Sequence, residues 1–287
     1  MRRILYESMG ISLIDFQCWA PVETEGPEEP NATHSIVFVR RGVFQRTQHR
    51  EILTADPSHV LFFNALHPYR YSHPLPGGDD CTILAVATDT ALHLVARQSP
   101  WDAEEASRPF RIPCVLSSPR AGRIHYELLS HVRQKSPELV IEDTLAELAE
   151  EAVRIAYSSY GEQRKQVKDS LPTTGTLRRH RDMTEAVKLA INESLERLPT
   201  LHDLAQDLAC SPFHLSRIFH QTAGLSLRRY VSRLRVSIAA ERLAKGAADL
   251  TELALDLGFA DHSHFTNAFR QEWGISPSRF RGRFFAS

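Results

Sequence analysis

The stretch GFADHSHFTNAFRQEWGISPSRF, Gly258 to Phe280, sets a run of polar side chains between aromatic anchors. Some fifty residues earlier stands LHDLAQDLACSPFHLSRIFHQTAGLSLRRY, Leu201 to Tyr230, and the two stretches match in register. Leu201, Asp203, Leu204, Ala205, Asp207 and Leu208 fall on Leu250, Glu252, Leu253, Ala254, Asp256 and Leu257. One residue is gained in the turn, after which Leu215, Phe219, Gly224, Ser226 and Tyr230 fall on Phe265, Phe269, Gly274, Ser276 and Phe280. An internal repeat of this kind points to one supersecondary unit used twice. The apolar positions agree in kind and the residues between them differ, so one scaffold presents two surfaces.

Each copy reads as a short helix, a tight turn and a second helix, which is helix-turn-helix spacing. Thr200 and Ser211 are expected N-caps, with Pro212 in the first helical position. In the second helix of the first copy, Leu215, Ile218 and Phe219 form the inward stripe and Phe213, Ser216, Arg217 and His220 face outward. In the second copy Phe265, Ala268 and Phe269 point in, while Ser263, Thr266, Asn267 and Arg270 point out, with His262 and His264 in the first turn. These polar types can donate to or accept from base edges, and a helix that carries them fits the major groove. The run Leu225 to Lys245 between the copies reads as a rod of about 30 Å, close to the ~34 Å of one B-DNA turn. Arg228, Arg229, Arg233 and Arg235 lie on it as phosphate candidates.

Working outward, the 287 residues allow two domains, and 42% hydrophobic with 24% charged residues describes an ordinary globular chain. The net charge of -1 is unevenly spread. From Thr176 onward about 16 Lys/Arg stand against about 12 Asp/Glu, and upstream about 18 against about 23, which puts the basic excess with the repeat. No stretch approaches the ~18 apolar residues of a membrane span, and the N-terminus lacks the pattern of a secretory signal, so a cytoplasmic protein is expected. Cys18, Cys81, Cys114 and Cys210 have no clustered spacing, which argues against a disulfide framework or a structural zinc site.

The first third alternates β-rich runs (ISLIDFQC, THSIVFVRRGVFQ, SHVLFFN, CTILAVAT) with turn segments, the pattern of a β-sandwich or small barrel. From Pro119 the period becomes helical, with Ile124, Leu128, Leu129 and Val132 on one face and Leu145, Leu148, Ala149, Ala152 and Ile155 on another. The polar stretch that follows reads as a linker. The expected organisation is therefore an α+β chain: a β-rich domain over 1–118, a helical dimerisation segment over 119–160, a linker over 161–180, and an all-α domain of two helix-turn-helix units joined by a long helix over 181–287.

The stretch SPFHLSRIFHQTAGLSLRRYVSRLRVSIAAERL, followed by LTELALDLGFADHSHFTNAFRQEWGISPSRFR with its Gly-Phe turn, Phe-x-x-x-Phe anchor and closing Pro-x-x-Phe-Arg, resembles the AraC/XylS family of transcription regulators. The resemblance covers the last hundred or so residues. It implies base contacts from Phe213, Ser216 and Arg217 in the first unit and from His262, Ser263, His264 and Asn267 in the second. Where relatives often carry a long polar residue the first unit has Ser216, so readout there is expected to rest on Arg217.

The N-terminal part resembles, more loosely, the cupin-type sensor domain of such regulators, with LTADPSHVLFFNALHPYRYSHP at the family's turn-strand-turn. Ser58 stands where a Gly is usual, and no His-x-His pair is present, so neither a metal nor another cofactor is expected. His34, His67 and His73, with Cys81, are the candidate effector contacts. The resemblance further implies promoter DNA, RNA polymerase, a small effector and a second copy of the chain as partners. The rival reading is a metal-dependent cupin enzyme with a helical appendage, which needs three or four clustered His/Glu ligands.

Overall fold

The computed structural model describes residues 1–8, 10–19, 22, 26–48, 51–167, 174–247 and 249–285. Ten strands come first: β1 Arg2–Glu7, β2 Ile11–Cys18, β3 Glu29–Pro30, β4 His34–Gly42, β5 Phe44–Gln48, β6 Glu51–Ala55, β7 His59–Phe63, β8 Pro68–Ser72, β9 Asp79–Val86 and, after a helical excursion, β10 Cys114–Leu116. They form a six-stranded sheet in the order β1-β2-β9-β4-β7-β10 and a four-stranded sheet in the order β3-β8-β5-β6. The strand pairings within both sheets are antiparallel. The β-rich, cupin-like region expected of the first 118 residues is thus present as two sheets.

Alternation along the central strands decides what each sheet face covers. Val37, Val39, Leu61, Phe63 and Cys81 pack together with Phe44 and Ala55 of the small sheet. Their neighbours Ile36, Phe38, Val60, Phe62, Leu84 and Val86 point the other way, into a second core. That second core is closed by helices α1 Thr88–Ala96, α2 Pro119–Arg133 and α3 Glu138–Val167, the first two of which flank a short 3-10 turn at Pro100–Glu104. A sheet covered on both faces has apolar residues without polar alternation, which is why SIVFV and HVLFF read as continuous runs. The sandwich therefore has a third, helical layer.

The face of α3 predicted for dimerisation is consumed within the chain. Leu145 and Leu148 are 2% and 0% exposed, packed in the core with Ala149, Ala152 and Ile155 against α2 and the large sheet. Each such burial is worth about 1.5–3 kcal/mol, so this stripe is not available to a second copy.

The stretch read as linker, 161–180, is helical at both ends: α3 runs to Val167 and α4, Thr174–Glu193, begins seven residues later. Residues 168–173 lie outside the described residues. The helix continues without an apolar period because Glu, Gln, Arg and Lys are good helix formers that readily extend a helix already nucleated upstream.

The remaining helices are α5 Leu201–Asp207, α6 Pro212–Ala223, α7 Leu227–Ala244, α8 Leu250–Asp256, α9 His262–Trp273 and α10 Pro277–Phe285. The repeat is reproduced in three dimensions, α5-α6 matching α8-α9, each second helix ending at a left-handed glycine, Gly224 at φ +76° and Gly274 at φ +75°. Two separate cores result. Leu204, Leu215, Ile218, Phe219, Tyr230 and Leu234 close the first unit against α4. Leu253, Leu257, Phe259, Phe265, Phe269 and Trp273 close the second, together with Tyr126 of α2 and Phe280 of α10.

Candidate nucleic-acid interface

Local chemistry starts both recognition helices at the same place. The Ser211 hydroxyl accepts from His214 N at 3.2 Å and the Asp261 carboxylate from His264 N at 2.7 Å, so each caps its helix at the equivalent position. Upstream, Thr200 and Asp203 form a reciprocal capping box on α5, and Asp249 caps α8 by accepting from Thr251 and Glu252. The turn in the first unit passes through Ala209 at φ +49° and in the second through Gly258 at φ +72°, the same left-handed position occupied by different residues.

Beyond those caps the outer faces are open. Phe213 is 78% exposed, and Ser216, Arg217 and His220 are exposed on the same helix. On α9, His262, Ser263, His264, Asn267 and Arg270 are exposed. His264 packs edge-on against Phe259 with ring centroids 5.4 Å apart, so one of the two histidines is held by the turn. Thr266 departs from expectation: it is only partly exposed, and its hydroxyl is buried without a hydrogen-bond partner among the described residues. It faces the protein rather than the open side.

The joining helix separates its arginines into two groups. Arg228 and Arg229 are exposed beside the first unit. Arg233 is not, contrary to its assignment as a phosphate contact: its Nε lies 2.5 Å from Glu272 Oε1 and its Nη1 donates to the Ser117 carbonyl at 3.3 Å. Arg235 is also turned inward, donating to the carbonyls of Gly258 at 2.7 Å and Leu195 at 3.0 Å. Burial lowers its pKa. It fastens the second turn to the start of the segment after α4. As a helix α7 has 18 residues, shorter than the rod read from sequence, and spans about 27 Å.

The β-rich region grips both units. Asp56, 0% exposed, accepts from the Ser58 amide at 2.8 Å and hydroxyl at 2.6 Å, faces His59 Nδ1 at 2.9 Å, and takes bonds from Asn192 of α4 at 3.2 Å and from the Tyr230 hydroxyl. Burial alone would raise its pKa, but His59 and the hydroxyl donors outweigh that and hold it below the usual carboxylate range. Ser58 thus contributes two donors, its amide and its hydroxyl, to this network. On the second unit's side, the Tyr126 hydroxyl donates to Glu241 Oε2 at 2.9 Å, and Lys245 meets Asp80 at 2.8 Å. Arg123 of α2 donates to the Trp273 carbonyl at 3.4 Å.

The candidate effector residues do not gather in one place. His34 faces Val86 and Cys81 faces Val39, five residues apart along β4 and β9, so they stand about 17 Å apart. His34 is buried, accepts from the Ala65 amide at 3.1 Å, and has its pKa lowered by burial and by nearby His67. His73 lies at the far end with Asp79, 2.6 Å from its carboxylate. The four residues therefore stand as two separate pairs, His34 with His67 and His73 with Cys81 through Asp79.

The sequence comparisons bear on the helical part. Residues 204–283 match the family model described as "Helix-turn-helix domain". The activator AarP of Providencia stuartii is 32% identical over 91 residues, 32% of this chain and 67% of that protein. The chain belongs to the AraC/XylS family. Another member, the uncharacterized regulator YfiF of Bacillus subtilis, is 34% identical over 119 residues, 42% of this chain, and the chain spans 36% of that protein's length. Among solved structures, ToxT of Vibrio cholerae aligns over 96% of this chain and 99% of its own at 12% identity and a TM-score of 0.36. The AraC/XylS part thus coincides with α5 to α10, where the two exposed helix faces lie.

Proposed function

We propose that the chain is a sequence-specific DNA-binding transcription regulator whose two recognition helices, α6 and α9, read successive major grooves. The observation that carries this reading is the pair of equivalent helices, capped alike and closed by equivalent cores, whose outward faces carry different exposed polar residues. Arg217 and Asn267 are the base-edge readers, supported by Phe213, Ser216, His262, Ser263, His264 and Arg270. Arg228 and Arg229 meet phosphates. A packing repeat would have no reason to keep both faces clear of the rest of the chain.

The relatives that match this part are named as transcription regulators, several as activators, and activation through RNA polymerase in the cytoplasm belongs to the same proposal. Among the described residues no helix is long and apolar enough to cross a membrane. A homodimer is part of it too, with an interface that excludes Leu145 and Leu148. The β-rich region acts as sensor: a small effector bound there would alter the contacts at Asp56, Glu241 and Asp80 and so the presentation of the two units. The enzyme reading is weaker, because the regulator relatives supply its whole helical part and the candidate histidines do not form a common ligand set.

The test is titration of the full chain against genomic promoter fragments and against random duplex at two salt concentrations. Preferential binding of particular fragments, with affinity falling steeply as salt rises, is the expected result. Equal affinity for all duplexes would leave only a backbone-binding protein, and no binding would remove the reading.

A further inference from the structure

The crossing between the two sheets gathers side chains that DNA recognition does not use. β8 belongs to the small sheet and β9 to the large one, and residues 73–78 carry the chain between them. Gly78 sits at φ +62°, and a Cβ there would lie 1.9 Å from the carbonyl oxygen of Cys18, so the turn closes directly onto the end of β2. Cys18 is the cross-strand partner of Asp79, and His73 is folded back so that its Nε2 stands 2.6 Å from Asp79 Oδ1. One ligand-capable atom from each of Cys18, His73 and Asp79 lies within 4.8 Å of the other two.

Three further features single this cluster out. His73 and Asp79 are 1% and 4% exposed, while Cys18 is only partly buried. The second ring nitrogen of His73, Nδ1, is buried with no hydrogen-bond partner among the described residues, an unmet polar atom beside the Asp79 carboxylate. The Cys81 thiol donates to Asp79 Oδ2 at 3.1 Å, fixing the carboxylate from behind as outer contacts do around metal ligands. Tetrahedral coordination at about 2.0–2.3 Å places ligand atoms about 3.3–3.6 Å apart, so adjustments of about 1 Å convert the present arrangement into a coordination shell.

We propose that Cys18, His73 and Asp79 bind one divalent transition-metal ion. A thiolate, an imidazole and a carboxylate suit a borderline ion such as Zn²⁺ or Co²⁺ and do not suit Mg²⁺ or Ca²⁺, which take oxygen ligands. On binding, the Cys18 thiol releases its proton to solvent, and the thiolate and the Asp79 carboxylate together balance the ion's two positive charges. This revises the expectation drawn from the missing His-x-His pair, because the ligands come from a β-strand end, a crossing loop and a facing strand. The residue after Asp79 is Asp80, which holds Arg41 at 3.0 Å and Lys245 of the segment after α7 at 2.8 Å. The ion would sit beside a tether between the sensor and the DNA-binding part.

The experiment uses full-length protein stripped with a chelator and titrated with Co²⁺ alone, read by the sulfur-to-cobalt charge-transfer absorption, then with Zn²⁺ in competition. One equivalent should bind with that band present. Cys18→Ser should abolish the band, His73→Gln should weaken binding tenfold or more, and Cys210→Ser should leave both unchanged. A wild-type protein without the band, or a Cys18→Ser variant that titrates like wild type, overturns the proposal. Cys18 is partly exposed, so its serine variant should fold; its melting curve without metal should match wild type, and Zn²⁺ should raise the wild-type midpoint only.

Discussion

The hydroxyl of Tyr230, at the start of α7, donates to the carboxylate of Asp56 in the turn before β7, and both side chains are fully buried. In the second copy of the repeat the equivalent position is Phe280, which has no hydroxyl to give. The first helix-turn-helix unit is therefore tied to the β-rich region by a polar bond inside its own core. The second unit is held instead through α2, where Tyr126 meets Trp273 and Phe280 at ring distances of 5.5 Å.

Tyr230→Phe removes a donor from a buried carboxylate while keeping the ring, and should cost the full chain about 1–3 kcal/mol. The fragment from Thr174 onward lacks Asp56 and should lose almost nothing. Urea unfolding of both proteins with and without the substitution checks this. Equal losses in the two would show that the hydroxyl matters only within the helical unit.

Asn267→Ala should lose discrimination at one or two operator positions, at roughly 1–3 kcal/mol per mismatched pair, with random DNA bound nearly as before. Arg229→Ala should weaken all sequences alike and flatten the salt slope. Arg233→Ala should not behave as a phosphate contact, because that guanidinium is occupied by Glu272 and Ser117. Binding curves for the three variants on operator and scrambled duplex separate these outcomes.

The two left-handed turns give a paired stability test. Ala209 bears a Cβ at φ +49°, so Ala209→Gly should stabilise by about 0.5–1 kcal/mol despite the added freedom of the unfolded chain. Gly258→Ala should destabilise by more than Gly224→Ala, since a Cβ at 258 would lie 2.3 Å from Arg235 Nη2 while the space at 224 is open. Thermal unfolding of the three variants ranks them.

Leu145→Lys with Leu148→Lys should unfold the core between the large sheet and its helices rather than dissociate a dimer, because both side chains are sealed against α2 and the sheet. A loss above about 3 kcal/mol is expected for charges placed there. Sedimentation together with circular dichroism distinguishes a folded monomer from a disrupted core.

His125 is held neutral to low pH: burial, then the nearby Arg40, brings its pKa down to about 3. Its Nε2 pairs with Thr82 Oγ1 at 2.8 Å and its ring stacks on Phe38 at 4.8 Å. Below about pH 6.5 the unfolded chain takes up a proton that the folded chain refuses, so stability falls as pH drops from there towards 3, by about 2 kcal/mol at pH 5. His125→Gln should flatten that slope in denaturation measured from pH 7 to 4.

The repeat between Leu201 and Phe280 was legible because local chemistry writes it. Caps, left-handed turn residues and the apolar stripe lie within a few positions of one another, and their spacing follows from helix geometry alone. The outward faces of α6 and α9 followed from the same periodicity, with Thr266 the exception. The β-rich beginning and the helical change of period at Pro119 were likewise set by strand and helix patterns. What faces what was decided only by the tertiary structure. An amphipathic stripe such as Leu145 and Leu148 states that it must be buried and not by which partner, and an arginine such as Arg233 looks the same in sequence whether it meets a phosphate or Glu272. Cys18, His73 and Asp79 are separated by 55 and 6 positions in the chain. They meet because β2 pairs with β9 and Gly78 lets the crossing turn close on Cys18, a placement that depends on register between distant strands and has no local signature.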